Sequence, residues 1–181
     1  MLRVLGADPG FKHLGLAVVE FGETGSAPVV LWSQDVHVGE ADHPERYGPM
    51  LIPYLDNVHA EWSFTAIGAE TPPMIQDNLK TSCMLQRTFG VVDGWAACRG
   101  LAVQYRSPVS LKAAARRVLG ITDAKETSKG MMRLACEQIL GGKARRTSHE
   151  NDAFFAAWVC YGGQSGKSAC FTSNQGVSPV L

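Results

Sequence analysis

Four side chains, in three separate segments, have the types and settings to do chemistry. Asp8 stands in "VLGADPG", directly after a short apolar run and before Pro9-Gly10. Glu70 stands in "AIGAETPP", again ending an apolar run, before Pro72-Pro73. His149 and Asp152 stand in "TSHENDAFFAAWV", at i and i+3 in the first turns of a helical pattern. That spacing puts them on one helix face, near the positive end of the helix dipole. Taken singly, an acid before a turn is an ordinary turn residue, and a first-turn His/Asp pair is ordinary cap chemistry. Three acids from three element ends on one rim are harder to explain that way. Like charges gathered in a partly dry site cost on the order of several kcal/mol unless a cation offsets them or a proton is taken up. Hard oxygen donors suit Mg2+ or Mn2+, which keep open positions for phosphate and water. Two such ions about 4 Å apart can clamp an in-line attack on a phosphodiester, and Asp8 would then be their shared ligand.

The elements that must deliver these residues follow from periodicity and breakers. Residues 2–7, 14–21 and 28–37 read as an antiparallel meander of three strands. Residues 44–60 read as a helix that Pro53 kinks or divides, and 64–70 as a fourth strand stopped by two prolines. Residues 76–98 carry an amphipathic pattern with Leu79, Cys83, Leu85, Phe89, Val92 and Trp95 among its apolar positions. Gly90 and Gly94 in that helix would let another backbone come close. A fifth strand over 101–105 precedes helices over 109–119 and 127–140. The last helix starts near Thr147, whose spacing to Glu150 makes a capping box, and runs to about Tyr161. The order β-β-β-α-β-α-β-α-α-α predicts an α/β fold, a mixed sheet with helices on its faces. If the first and fourth strands are parallel neighbours, Asp8 and Glu70 emerge at one edge. Residues 1–161 read as one domain, and the Gly/Ser/Gln-rich segment 162–181 as a flexible tail.

Composition narrows the class. The chain has 181 residues, 45% hydrophobic and 19% charged, enough for a real core. No apolar run approaches the ~18 residues of a membrane span, and the N-terminus lacks the pattern of a secretory signal. Five cysteines without a CxxC pair argue against a zinc ribbon or disulfide framework and for a reducing cytoplasm. The zero net charge hides a strong asymmetry. Residues 1–79 hold 3 Lys/Arg against 11 Asp/Glu, a net of −8, whereas residues 80–146 hold 13 against 4, a net of +9. So long a basic stretch fits a surface facing a polyanion at least as well as a solvated face. "YGGQSGKS" (161–168) imitates a phosphate-binding loop, but Tyr161 occupies the position where the pattern needs glycine.

Four segments together resemble the RuvC-type Holliday junction resolvases of the RNase H-like superfamily. They are "GADPGFKHLGLAVVE", "AIGAETPPM", "SPVSLKAAARRVLGITDAKETSKGMM" and "SHENDAFFAAWV", in the family's order over residues 3–161. The resemblance implies an RNase H-like mixed five-stranded sheet, an antiparallel meander plus parallel strands, flanked by helices on both faces. It implies a homodimer, with helix 76–98 at the interface, that nicks four-way DNA junctions symmetrically using two Mg2+ (or Mn2+) ions per active site. By the same resemblance Asp8, Glu70 and Asp152 match the metal-binding acids, and His149 matches a position that is His or acidic. Lys112, and either Lys125 or Lys129, match basic residues near the scissile phosphate; the helix phase favours Lys129. Lys80, Arg87, Arg116 and Arg117 would contact phosphates. The segment after Glu70 departs from the family pattern: it has no aromatic wedge, and Met74 would have to open the base stack. That departure and a tail poor in basic residues are compatible with a viral or otherwise divergent member. The resemblance places the protein in the cytoplasm, on the nucleoid or in an infected host cell.

Three other readings compete. The same fold could cut flaps, forks or RNA–DNA hybrids, because the acids report the chemistry and not the shape of the DNA. An actin-like ATPase also carries an Asp-x-Gly turn, but needs a second, duplicated domain. An inactive DNA-binding module is disfavoured, because no expected acid is missing.

Overall fold

A computed structural model describes residues 1–10, 12–23, 26–38, 46–72, 79–123, 130–142 and 147–162. Its strands are β1 (Leu2–Pro9), β2 (His13–Phe21), β3 (Val29–His37), β4 (Ala66–Glu70) and β5 (Ala102–Arg106). They form one sheet in the order β3-β2-β1-β4-β5. The β1–β2 and β2–β3 pairs are antiparallel, whereas β1–β4 and β4–β5 are parallel. The expected mixed five-stranded α/β sheet is therefore what the chain forms.

Side chains alternate across a strand, and this alternation sorts the sheet into two faces. Leu5, Ala7, Leu14, Leu16, Val18, Ile67 and Ala69 form one buried cluster. It is closed by Tyr47, Leu51, Leu55 and Val58 of α1 (Tyr47–Trp62) and by Met84, Val92, Trp95 and Ala96 of α2 (Leu79–Cys98). Val4, Ala17, Val19 and Ala66 belong to the opposite face. That face is covered by α3 (Pro108–Leu119), α4 (Met131–Leu140) and α5 (Ser148–Ala157). Asp8 and Glu70 are in phase with Val4 and Ala66, so both belong to the α5 face.

Helix α5 lies unusually close to the sheet because the strands beneath it carry glycine. A Cβ at Gly6 would collide with the Ala153 carbonyl, and one at Gly15 with the His149 carbonyl. The helix answers with Ala153, Ala156 and Ala157, all fully buried. Small residues on both sides thus let the first turn of α5 settle at the sheet edge.

Several elements differ from the sequence reading. β1 runs through Asp8 to Pro9, so Asp8 is paired with Gly15 rather than standing beyond the strand. Helix α1 is one helix through Pro53. Loss of one hydrogen bond and the ring clash cost about 3 kcal/mol. Burying Tyr47, Leu51 and Leu55 offsets that, at about 1.5–3 kcal/mol per large apolar side chain. In α2 the core face is Leu85, Thr88, Val92, Trp95 and Ala96, while Leu79 is 70% exposed and Cys83 is exposed. The first turn of α2 therefore extends past the edge of the sheet's core. Among the described residues, a Cβ at Gly90 or Gly94 would meet nothing within 4 Å, so neither glycine serves a close backbone approach there.

The capping box is half made. Thr147 Oγ1 accepts from the Glu150 backbone N–H at 3.2 Å, but Glu150 Oε2 instead accepts from Ser33 Oγ of β3 at 2.9 Å. The last helix ends at Ala157 and continues as a π-helical turn, Trp158–Gly162. Among the described residues, no helix is long and apolar enough to cross a membrane. Residues 163–181, most of the expected tail, lie outside the described residues.

Candidate active site

Three elements deliver the acids to one rim of the α5 face. Asp8 follows Ala7 in β1 and Glu70 follows Ala69 in β4, and Ala7 and Ala69 are register partners in the parallel pair. Asp8 and Glu70 are thus neighbours on adjacent strands, about 4.8 Å apart by strand spacing. Asp152 comes from the first turns of α5, which packs directly over β1, β2 and β4.

The electrostatics show that the three feel one another. The Glu70 carboxyl is pushed up to about 8, first by burial and then by the charges of Asp8 and Asp152. The Asp152 carboxyl is pushed up to about 7, first by burial and then by Asp8. Lys112 of α3 opposes both shifts, which places its ammonium in the same field. Among the described residues, no three carboxylate, imidazole or thiol groups are already gathered tightly enough to cage a metal ion. The distances and the shifts describe one situation. Uncompensated carboxylates repel, so they share a field without closing on a point, and burial together with that repulsion favours the protonated forms of Glu70 and Asp152. The donor set is oxygen-rich with one imidazole, which fits a hard divalent cation such as Mg2+ or Mn2+. Such a cation would reverse both upward shifts.

His149 stands in this cluster in a defined pose. Its Nδ1–H donates to Asp8 Oδ2 at 2.9 Å, which leaves Nε2 for another partner. The hydrogen bond to Asp8 raises the imidazole's affinity for a proton, against the effect of burial. One ring neighbour is His13, whose centroid lies 5.6 Å away with the planes 5° from parallel. His13 Nδ1–H in turn donates to Asp35 Oδ1 at 3.0 Å, and its ring stacks on His37 at 5.3 Å.

The site residues expected from sequence fall into four groups. Asp8, Glu70, His149 and Asp152 are brought together, with Lys112 close enough to act on the acids. Arg116 and Arg117 lie in the last turn of the same helix as Lys112. Lys80 and Arg87 are exposed on α2, which covers the opposite face of the sheet from the acids. Met74, Lys125 and Lys129 lie outside the described residues.

Sequence reasoning missed His13, Asp35 and His37. The signal was present as Ser33, Asp35 and His37, a polar residue at every second position of a strand. Such a stripe ordinarily faces solvent. Here it faces the first turn of α5, because Gly15 pairs with both Asp8 and Asp35 and admits the helix between them.

Comparison with known proteins gives a consistent picture. No family model matches the chain. The chain is 28% identical over 169 residues to the crossover junction endodeoxyribonuclease RuvC of Clavibacter michiganensis, covering 92% of this chain and 79% of that protein. It is 28% identical over 167 residues to the enzyme of the same name from Mycobacterium leprae, covering 88% and 81%. Among solved structures, Thermus thermophilus RuvC in complex with a Holliday junction superposes with a TM-score of 0.69 at 23% identity, covering 86% of this chain and 90% of that one. The yeast mitochondrial Holliday junction resolvase superposes with a TM-score of 0.63 at 16% identity, covering 91% and 80%. The resemblance carried by the four sequence motifs is borne out along nearly the whole chain, and the solved structures share its fold.

Proposed function

We propose that the chain is a structure-specific DNA endonuclease that resolves four-way (Holliday) junctions by paired, metal-dependent phosphodiester hydrolysis. One observation carries the reading: Asp8, Glu70 and Asp152, from β1, β4 and α5, meet at one sheet edge, where burial and then the neighbouring carboxylates raise the proton affinity of Glu70 and Asp152. The curated relatives, which bear the name of a crossover junction endonuclease over most of this chain, support the substrate class.

Asp8, Glu70 and Asp152 would hold the divalent ions, Mg2+ or Mn2+ and two per site, with His149 beside them. When bound, such ions lower the proton affinity of water and offset charge on a phosphodiester. The chain's own residues do the rest. Asp8 fixes the His149 imidazole by its Nδ1, leaving Nε2 to take a proton from an attacking water or to act as a ligand. Lys112 lies close enough for its charge to act on Glu70 and Asp152, and there it would offset the charge that develops on the scissile phosphate. Lys125 or Lys129 would serve the same phosphate. Arg116 and Arg117, with Lys80 and Arg87, would bind backbone phosphates; these contacts position DNA without reading its sequence. Met74 would enter the junction between bases. A homodimer would supply two such sites to the two-fold symmetric junction, in a cytoplasmic setting.

The test is a panel of labelled four-way junction, flap, fork and duplex DNA incubated with Mg2+ and the protein. Paired symmetrical nicks confined to the junction support the proposal. Flaps or forks cut as readily as junctions would instead make the chain a general branched-DNA nuclease.

A further inference from the structure

We propose that His13, anchored by Asp35, is a positioning residue that sets the ring plane of His149 by stacking. The proposal rests on the nuclease reading above, since it assigns a role within that site.

The geometry builds up from one row of the sheet. Asp8, Gly15 and Asp35 are register partners across β1, β2 and β3. Two carboxylates therefore flank a glycine on the α5 face, separated by two strand spacings, about 10 Å. Gly15 has no side chain, and the His149 backbone sits directly over it. Into the gap between the carboxylates go two imidazoles. His149 takes the Asp8 side and His13 the Asp35 side, each through Nδ1. The two rings then lie parallel and offset, with centroids 5.6 Å and planes 5° apart. His37, the cross-strand partner of His13, also stacks on the His13 ring, with centroids 5.3 Å apart.

The exposures say which members are anchors and which need holding. The Asp8 and Asp35 side chains are 14% and 18% exposed, whereas the rings of His149 and His13 are 35% and 45% exposed. A single hydrogen bond to Asp8 fixes one atom of the His149 ring and leaves rotation about that bond open. The His13 face removes that freedom on one side, and Gly10 leaves the ring the room it occupies, since a Cβ there would lie 3.2 Å from His149 Cε1. With plane and Nδ1 both set, the direction of Nε2 is determined. A proton acceptor or ligand misplaced by about 1 Å can lose about 10²-fold in rate, so the plane matters.

The experiment compares His13→Ala with His13→Phe in the full chain. Phenylalanine keeps a stacking face but has no nitrogen. Two quantities are read: single-turnover nicking of a saturating four-way junction with Mg2+, and the His149 ring-proton resonances, assigned with His149→Gln. The expected result is a roughly 10–100-fold slower nicking step in His13→Ala, with junction affinity unchanged. His149 signals should lose the ring-current shift that His13 imposes. In His13→Phe most of the rate and a ring-current shift should return. Undiminished nicking in His13→Ala, or unmoved His149 resonances, overturns the proposal. So does His13→Phe behaving like His13→Ala. A wild-type protein that leaves junctions uncut would sink the nuclease reading, while the resonances would still decide whether His13 holds His149.

Discussion

Asp8 and Glu70 stand side by side on the parallel strands β1 and β4, each one residue past the Ala7–Ala69 register pair, and both on the face that α5 covers. Neither position depends on a long loop. Parallel pairing and period-two alternation put the two carboxylates together, and the α5 turn brings the third. The site therefore stores repulsion whenever its charges are uncompensated.

Burial of these acids, together with that repulsion, has a pH signature. The folded-state affinity of Glu70 for its proton is raised from 4.5 to about 8, and that of Asp152 from 3.8 to about 7. A raised carboxyl stabilises the fold fully below its unfolded value and loses that contribution as pH rises through the folded value. The metal-free protein should thus lose thermal stability between about pH 4 and pH 8, the window set by these shifts. Glu70→Gln should flatten the curve and melt higher than the wild type at pH 8. Each 1 kcal/mol relieved is worth about 2–4 °C for a chain of this size. Calorimetry in the presence of chelator checks this; a Glu70→Gln variant that melts lower than wild type at pH 8 would count against a repulsive site.

The glycine floor under α5 predicts where small changes do large damage. Gly6→Ala puts a methyl group into the Ala153 backbone carbonyl, which is main chain and cannot swing aside. Overpacking of this kind costs about 1–3 kcal/mol, and the displaced helix should carry His149 and Asp152 out of place. Urea midpoints and nicking rates should fall together. Gly90→Ala in α2, where a Cβ would meet nothing within 4 Å among the described residues, should leave the fold unharmed or raise its stability by about 0.5–1 kcal/mol. Equal midpoints for the two variants would contradict the close approach.

Lys112 joins the acid cluster through its charge alone. Lys112→Ala should slow junction nicking by about 10–10²-fold and reduce the salt slope of junction binding by about 1. The salt dependence of binding by fluorescence anisotropy and a parallel nicking assay separate the two effects. Loss of affinity with an unchanged nicking step would make Lys112 a phosphate contact only.

How much of this was legible in the sequence depends on which rule governed each residue. Asp8, Glu70 and Asp152 were legible because alternation in strands and the i, i+3 spacing in α5 are local rules, and the topology obeyed them. The mixed sheet followed from element order and short connections. Pro53 does not divide α1, and Leu79 was misread, because tertiary burial decides such positions: a packed face carried α1 through its proline, and α2 began beyond the core it covers. Glu150 was assigned to its own helix cap, but a strand serine far away in sequence competes for it. The His13–Asp35 pair left only the polar stripe Ser33, Asp35 and His37, a pattern that ordinarily faces solvent. Its significance comes from Gly15, which looks like any strand glycine until the helix over it is known.

The central claim is that Asp8, Glu70 and Asp152 act as one divalent-ion site. The most direct measurement is Mn2+ binding followed by electron paramagnetic resonance, on wild type and on Asp8→Asn, Glu70→Gln and Asp152→Asn, with junction binding measured beside it. The account predicts bound Mn2+ in the wild type, weakened or lost in each variant while DNA binding persists. Mn2+ binding that is the same in all four proteins would contradict it.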